Sequence, residues 1–181
     1  SGAFVVATNS SFGVNNADCN SATYSLWNDM YNAMGQYGIL SCGATMNNNS
    51  NVDVTGDVPT GCESDYMVSV TNTTRNDSKN SGAAYGVTTI DLGAPGTQIL
   101  STYTGGGTSS LSGTSMASPH VAGAIGFMHA SMSSGLASFY RSSPDQGAII
   151  IKQIILDGTD QLASLNGITV SGGRLNLYNS A

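Results

Sequence analysis

An α/β layered fold with parallel strands is predicted by three features of the 181-residue sequence. Short apolar runs bounded by turn residues occur at intervals along the chain, as buried strands do. A helix-periodic segment separates the first two runs, and two longer helical segments follow in the C-terminal half. That order, strand, helix, strand and then long helices, belongs to layered folds with crossover connections. No internal repeat or linker-like stretch divides the chain, whose length suits one sizeable core.

Each element has its own justification. Ala3 to Ala7 (AFVVA) reads as a buried strand, leaving through the extended polar segment Asn9-Ser10-Ser11-Phe12-Gly13. Tyr24, Trp27, Tyr31 and Met34 recur at helical spacing and Gly38 follows them, so an amphipathic helix is expected over 22–36. Ile39 to Ala44 is the next buried strand, and Asn47 to Asn51 a loop. Met67 to Thr71 and Ile90 to Leu92 are further strands, the latter cut off by Gly93-Ala94-Pro95-Gly96. Ile99 to Ser101 is a short fifth strand before the flexible turn Gly105-Gly106-Gly107. From Ser115 to about Ser133 the density of Ala, Gly, Met and Val predicts a buried helix. Ser143-Pro144-Asp145 is a helix start, with proline and an acid in the first turn. Ile149–Ile151 and Ile154–Leu156 supply its core face, and Gly158 ends it.

Composition narrows the function. Only 9% of residues are charged, against roughly 25% in an average soluble domain. Lys plus Arg is 5 and Asp plus Glu is 11, giving a net charge of −6. An acidic chain lacks the basic face that nucleic acid requires. No run approaches the ~18 apolar residues of a membrane helix, and the first residues have no signal-peptide pattern. Asn, Ser, Thr and Gly carry the polarity, a composition suited to an extracellular protein rich in tight turns. Of the three cysteines, none forms a CxxC pair, so a zinc knuckle is not expected. Cys42 with Cys62 is the expected disulfide, the alternative being three small buried residues.

The chemistry concentrates in Gly113-Thr114-Ser115-Met116-Ala117-Ser118-Pro119-His120-Val121-Ala122-Gly123. Ser115 falls at a turn-to-helix junction with Pro119 expected in the first turn. Helix N-termini present free N–H groups and favour negative charge. A serine there reads first as a helix cap. It can also attack a carbonyl while its own N–H receives the oxyanion. Ala117 breaks the G-x-S-x-G elbow of α/β-hydrolases, so an esterase on that fold is not favoured, and no lysine makes a Walker loop.

The stretch GTSMASPHVAGA resembles the nucleophile segment of the subtilisin-like serine peptidases, the subtilases. The resemblance runs along the chain. Ser11-Phe12-Gly13 resembles the family's substrate-lining strand, where an extended peptide adds by main-chain hydrogen bonds. NNNSNVD (Asn47 to Asp53) resembles the segment opening with the oxyanion-hole asparagine, which implies that role for Asn47. Ala44, Thr45 and Met46 would then wall the primary specificity pocket, with Met46 where the family usually has glycine. Thr114 is implied as a substrate contact. Val58-Pro59 resembles a family X-Pro bond that is often cis, and Asp91–Gly96 and Ser171–Asn176 resemble structural signatures.

The resemblance implies a parallel sheet with helices on both faces, lacking its early strands, so that residues 1–181 form the C-terminal portion of a subtilase catalytic domain. Neither the D-[ST]-G segment of the family's aspartate nor the H-G-T-H segment of its histidine occurs. A serine hydroxyl needs a base within hydrogen-bond reach. His120, five residues after Ser115, is rotated by about 140° on one helix, and His129 is about 21 Å along it. His120 is read as a core histidine. The implied activity is therefore that of a secreted serine endopeptidase with Ser115 and Asn47 catalytic. This chain alone is expected to be inactive; the alternative is a non-catalytic subtilase-derived binding or assembly module. Expected partners are a peptide or protein substrate, the missing N-terminal half, and a second copy through an exposed sheet edge. No cofactor is required. Calcium, which subtilases often bind, has a candidate loop in Asn47–Asp57, although an Asn/Asp-rich turn without metal is the expected reading.

Overall fold

The structure is a computed structural model that describes residues 4–180. The elements in chain order are β1 (Ala7–Ser10), β2 (Val14–Asn15), α1 (Ser25–Gly35), β3 (Leu40–Ala44), α2 (Val52–Thr55), β4 (Asp57–Val58), β5 (Met67–Thr73) and β6 (Leu92–Pro95). They continue with β7 (Ile99–Tyr103), β8 (Gly107–Leu111), α3 (Thr114–Ser131), α4 (Ser134–Ser142), α5 (Pro144–Asp157), β9 (Asp160–Gln161), β10 (Gly173–Arg174) and α6 (Leu177–Ser180). Six strands form the central sheet in the order β1-β3-β5-β6-β10-β9. It is parallel except for the β9–β10 pair. No described helix is long and apolar enough to cross a membrane.

Alternation along the strands sorts residues onto two covered faces. Leu40, Cys42, Val68, Val70, Leu92 and Ala94 pack with Val121 and Ile125 of α3 and Ile151 and Ile155 of α5. Met67 looks the other way, joining Ala17, Cys19, Val58, Cys62 and Tyr31 of α1. Helices therefore lie on both faces of a mostly parallel sheet, as expected.

Several expectations need correction. The first strand lies at Ala7–Ser10, not Ala3–Ala7. Ala3 is outside the described residues, while Phe4 is 71% and Val5 49% exposed. Parallel pairing with β3 sets the register, from Ala7 opposite Leu40 to Ser10 opposite Gly43. The polar side chains of β1 are satisfied in pairs: Thr8 Oγ1 donates to Ser41 Oγ (2.9 Å), and Ser10 Oγ lies 3.2 Å from the Tyr31 hydroxyl. The fourth strand runs through Gly93, Ala94 and Pro95 instead of ending there, because Thr71 to Thr73 of β5 pair with them. Ile99 begins a hairpin with β8 across the three-glycine turn. α4 was not expected; Ser133 Oγ caps it by accepting from Leu136 N–H at 3.2 Å.

The disulfide joins Cys19 to Cys62, not Cys42 to Cys62. Cys42 is a free thiol on the sheet face that meets α3 and α5, whereas Cys62 belongs to the cluster under α1. The sheet separates them. Burial pushes the Cys42 thiol far above its ordinary range, leaving an inert small apolar residue.

Candidate active site

The first turn of α3 is built by three distant segments. Gly113 precedes the helix with no side-chain cap of its own. The cap comes instead from Asn47, whose Oδ1 accepts from the Thr114 N–H at 3.0 Å. That bond fixes the amide orientation and leaves Nδ2 free to donate. Glycine at 113 leaves room for this approach, since a Cβ there would sit 3.3 Å from Asn47 Oδ1 and press on the amide. Thr114 is fully buried and its hydroxyl donates to the Thr45 carbonyl, bracing β3's end against α3. Its side chain therefore stands behind the cavity wall instead of in it.

Ser115 is half-buried in this first turn. It is not a helix cap: its Oγ lies 3.4 Å from the Ser11 carbonyl, and its own carbonyl accepts from Ser11 Oγ at 2.9 Å. The second contact has a cause in the sequence. Pro119 lies in the second turn, not the first, and has no N–H to give the Ser115 carbonyl four residues back. Ser11 supplies the missing donor. The Ser115 N–H is one of the N-terminal groups that the helix cannot satisfy internally. Its neighbours are spoken for, Thr114 N–H by Asn47 and Met116 N–H by the Gly113 carbonyl at 3.0 Å.

A cavity of about 180 Å3 gathers Ser11, Phe12, Gly13, Ala44, Thr45, Met46, Asn47 and Ser115, the positions singled out in the sequence apart from Thr114. Gly13 is required by the close pass of β4, because a Cβ would strike the Val58 carbonyl. Met46 is 3% exposed and packs with Val52, Ala84 and Ile90, so its bulk joins a small core cluster. Asn15 and Asp57 also line the cavity and were missed. Asp57 directly precedes Val58-Pro59, a bond that is cis, and its type and position in an Asn/Asp-rich loop carried no separate signal. It is 2% exposed. Desolvation raises its carboxyl above the ordinary range, against hydrogen bonds from Thr60, Thr45 and the N–H groups of Met46 and Val58.

A second cleft of about 330 Å3 opens on the other side of Ser115, between β7 and His120. His120 is exposed, contrary to the expected core placement, and its Nδ1 bonds the Met116 carbonyl at 2.8 Å. His129 stacks edge-on against Tyr140, ring centroids 4.6 Å apart. Neither reaches Ser115. Among the described residues, the Ser11 carbonyl is the acceptor beside its hydroxyl.

The loop Asn47–Asp57 does not fit calcium. Asp53 is saturated by the N–H groups of Val87, Thr88 and Thr89 and two threonine hydroxyls. The Lys79 ammonium already occupies Asn49 Oδ1 and the carbonyls of Asn80 and Ala83. No cluster of three or more metal-ligating side chains occurs among the described residues.

The family profile described as the subtilase family matches residues 4–169. Thermitase of Thermoactinomyces vulgaris is 40% identical over 111 residues, covering 61% of this chain and 34% of that protein. Proteinase R of Parengyodontium album is 43% identical over 93 residues, 51% of this chain and 23% of that protein. A solved protease from Pseudoalteromonas arctica superposes with a TM-score of 0.70 at 25% identity, covering 97% of this chain and 50% of the other. The chain thus spans about a quarter to a third of these two curated relatives and half of the solved one. It belongs to the subtilase family of serine peptidases.

Proposed function

We propose that the protein containing this chain is a serine endopeptidase in which Ser115 is the nucleophile. Its hydroxyl attacks a peptide carbonyl and passes its proton to a base from outside these 181 residues. The carbonyl oxygen becomes an oxyanion and receives hydrogen bonds from Asn47 Nδ2 and the Ser115 N–H. Collapse expels the amine, protonated by the base, and leaves an acyl-enzyme that water hydrolyses. The substrate lies as an added strand against Ser11, Phe12 and Gly13, its side chain entering the cavity walled by Ala44, Thr45 and Met46.

The observation that carries this reading is the clamp of Asn47 on the Thr114 N–H. It holds a free amide donor, an unsatisfied helix N–H and a serine hydroxyl at the rim of one cavity. A fluorophosphonate probe tests it: Ser115 in the full-length protein should label, and a peptidyl inhibitor should block labelling. No labelling would favour a non-catalytic binding or assembly module instead. That second reading draws on the lack of an imidazole or carboxylate bonded to Ser115 among the described residues.

The same reading makes the chain the C-terminal portion of the catalytic domain, inactive by itself. Its partner is the half bearing the base. β1 is the edge of the sheet, and beside it an apolar groove of about 480 Å3 runs from Phe12 to Trp27, Met30 and Met34 of α1. This is where the remaining half would pack, or a second copy in its absence. The Cys19–Cys62 bridge supports an extracellular setting, since disulfides persist in oxidising compartments.

A further inference from the structure

We propose that the cavity beside Ser115 receives a cationic side chain, lysine or arginine, on the residue whose carbonyl is attacked, with the Asp57 carboxylate as its counter-charge. The proposal rests on the peptidase reading and gives it a substrate class. Asp57 lines the same cavity as Ser115 and Asn47, and is 2% exposed. Its neighbours are all neutral. The Thr45 hydroxyl donates to Oδ2 at 3.2 Å, the Thr60 hydroxyl donates to the same oxygen, and backbone N–H groups of Met46 and Val58 complete the set. Lys152 and Arg174 spend their charge on Asp91, Asp77 and Asp160, and no ion pair reaches Asp57 among the described residues.

A carboxylate so placed is costly to hold as an anion without a cation beside it. The protein stabilises it with hydroxyl and amide donors and leaves its charge uncompensated, in a cavity open to a substrate. An incoming ammonium or guanidinium would supply the compensation at a site already shaped for it. Thr45 and Thr60 hold the carboxylate from two separate segments, so little ordering is left to occur on binding. An apolar substrate side chain would instead bury the same carboxylate more deeply with nothing in return. The net charge of −6 adds a longer-range attraction for basic peptides.

The experiment compares, on the full-length protein, two fluorogenic peptides that differ only in lysine or leucine at the residue donating the scissile carbonyl. Lysine should be favoured in kcat/KM by about tenfold or more. In Asp57→Asn, which keeps the shape and one acceptor oxygen, that ratio should fall toward one. A leucine preference in the unaltered protein overturns the proposal without any variant having to fold. A lysine preference that survives Asp57→Asn overturns it too and leaves Asp57 as a brace between Thr45 and Thr60. Fluorophosphonate labelling separates the levels. Labelled Ser115 with no lysine preference sinks the pocket assignment alone, whereas no labelling and no hydrolysis of either peptide sinks the peptidase reading with it.

Discussion

The two sides of Ser115 are built differently. Toward Asn47 every polar group has a fixed place: the Thr114 N–H holds the amide, the Thr114 hydroxyl ties to Thr45, and Thr45 and Thr60 hold Asp57. These residues sit where strands with both faces covered end, beside the buried start of α3. Toward β1 the molecule is open. Phe12 is 59%, Leu26 67% and Met30 51% exposed, and they border an apolar groove at the sheet edge. On the proposed reading, the oxyanion donors are preorganised by segments that share one core, while the proton acceptor comes from a segment that must dock. On this view the chain holds the electrostatic half of a catalytic site and lacks the proton-transfer half.

The strongest way to break that comparison is Ser115→Ala in the full-length protein. Probe labelling should vanish and kcat should fall by about 10⁶, the size known from subtilisin's own nucleophile. Undiminished turnover would mean that the chemistry sits elsewhere. Asn47→Ala comes next. Losing one oxyanion donor should lower kcat by about 10²–10³ with little change in KM, again a magnitude taken from subtilisin itself. A rise in KM at constant kcat would make Asn47 a substrate contact and not an oxyanion donor.

A smaller effect tests the seam between the two sides. Ser11→Ala removes the donor to the Ser115 carbonyl, which Pro119 cannot replace. Losing that bond from a half-buried carbonyl should cost about 0.5–1.5 kcal/mol of stability, read as a shift in a urea unfolding curve. Pro119→Ala restores a helix N–H four residues on, so the double variant should recover part of the loss. Strict additivity would show that Ser11 acts otherwise.

What was legible in the residues follows from where the information lay. β3, β5, α3 and α5 supply much of the main core, and apolar runs, a density of small apolar residues and a helix-start signal find them. β1 was displaced because its inward groups, Thr8 and Ser10, are polar and find partners only in the folded sheet. α4 presents Leu136, Phe139 and Tyr140 at helical spacing and buries Tyr140, but the stripe spans only nine residues and was missed. At the site, Ser115, Asn47 and Ser11 stand in contiguous stretches characteristic of the family. Asp57 does not: a single acid in an Asn/Asp-rich loop acquires meaning only when Thr45 and Thr60 close around it. The cysteine pairing was hidden likewise, because which sheet face Cys42 occupies is a property of register.

The smallest expected effect sharpens the comparison where the chain enters β1, at His129, which packs against Tyr140 and the exposed Phe4. Burial lowers its pKa from 6.5, so the folded protein favours the neutral ring. The unfolded chain then binds more protons below that value, and folding loses stability as pH falls through about 6.5 toward the lowered native value. Between about pH 8 and about pH 5.5, the full-length protein should lose more unfolding free energy than its His129→Gln variant. Docking of a further segment over this face should deepen the burial and widen the difference relative to the isolated chain. Equal losses with and without that segment would place His129 away from the docked surface and confine the open side to the groove along β1.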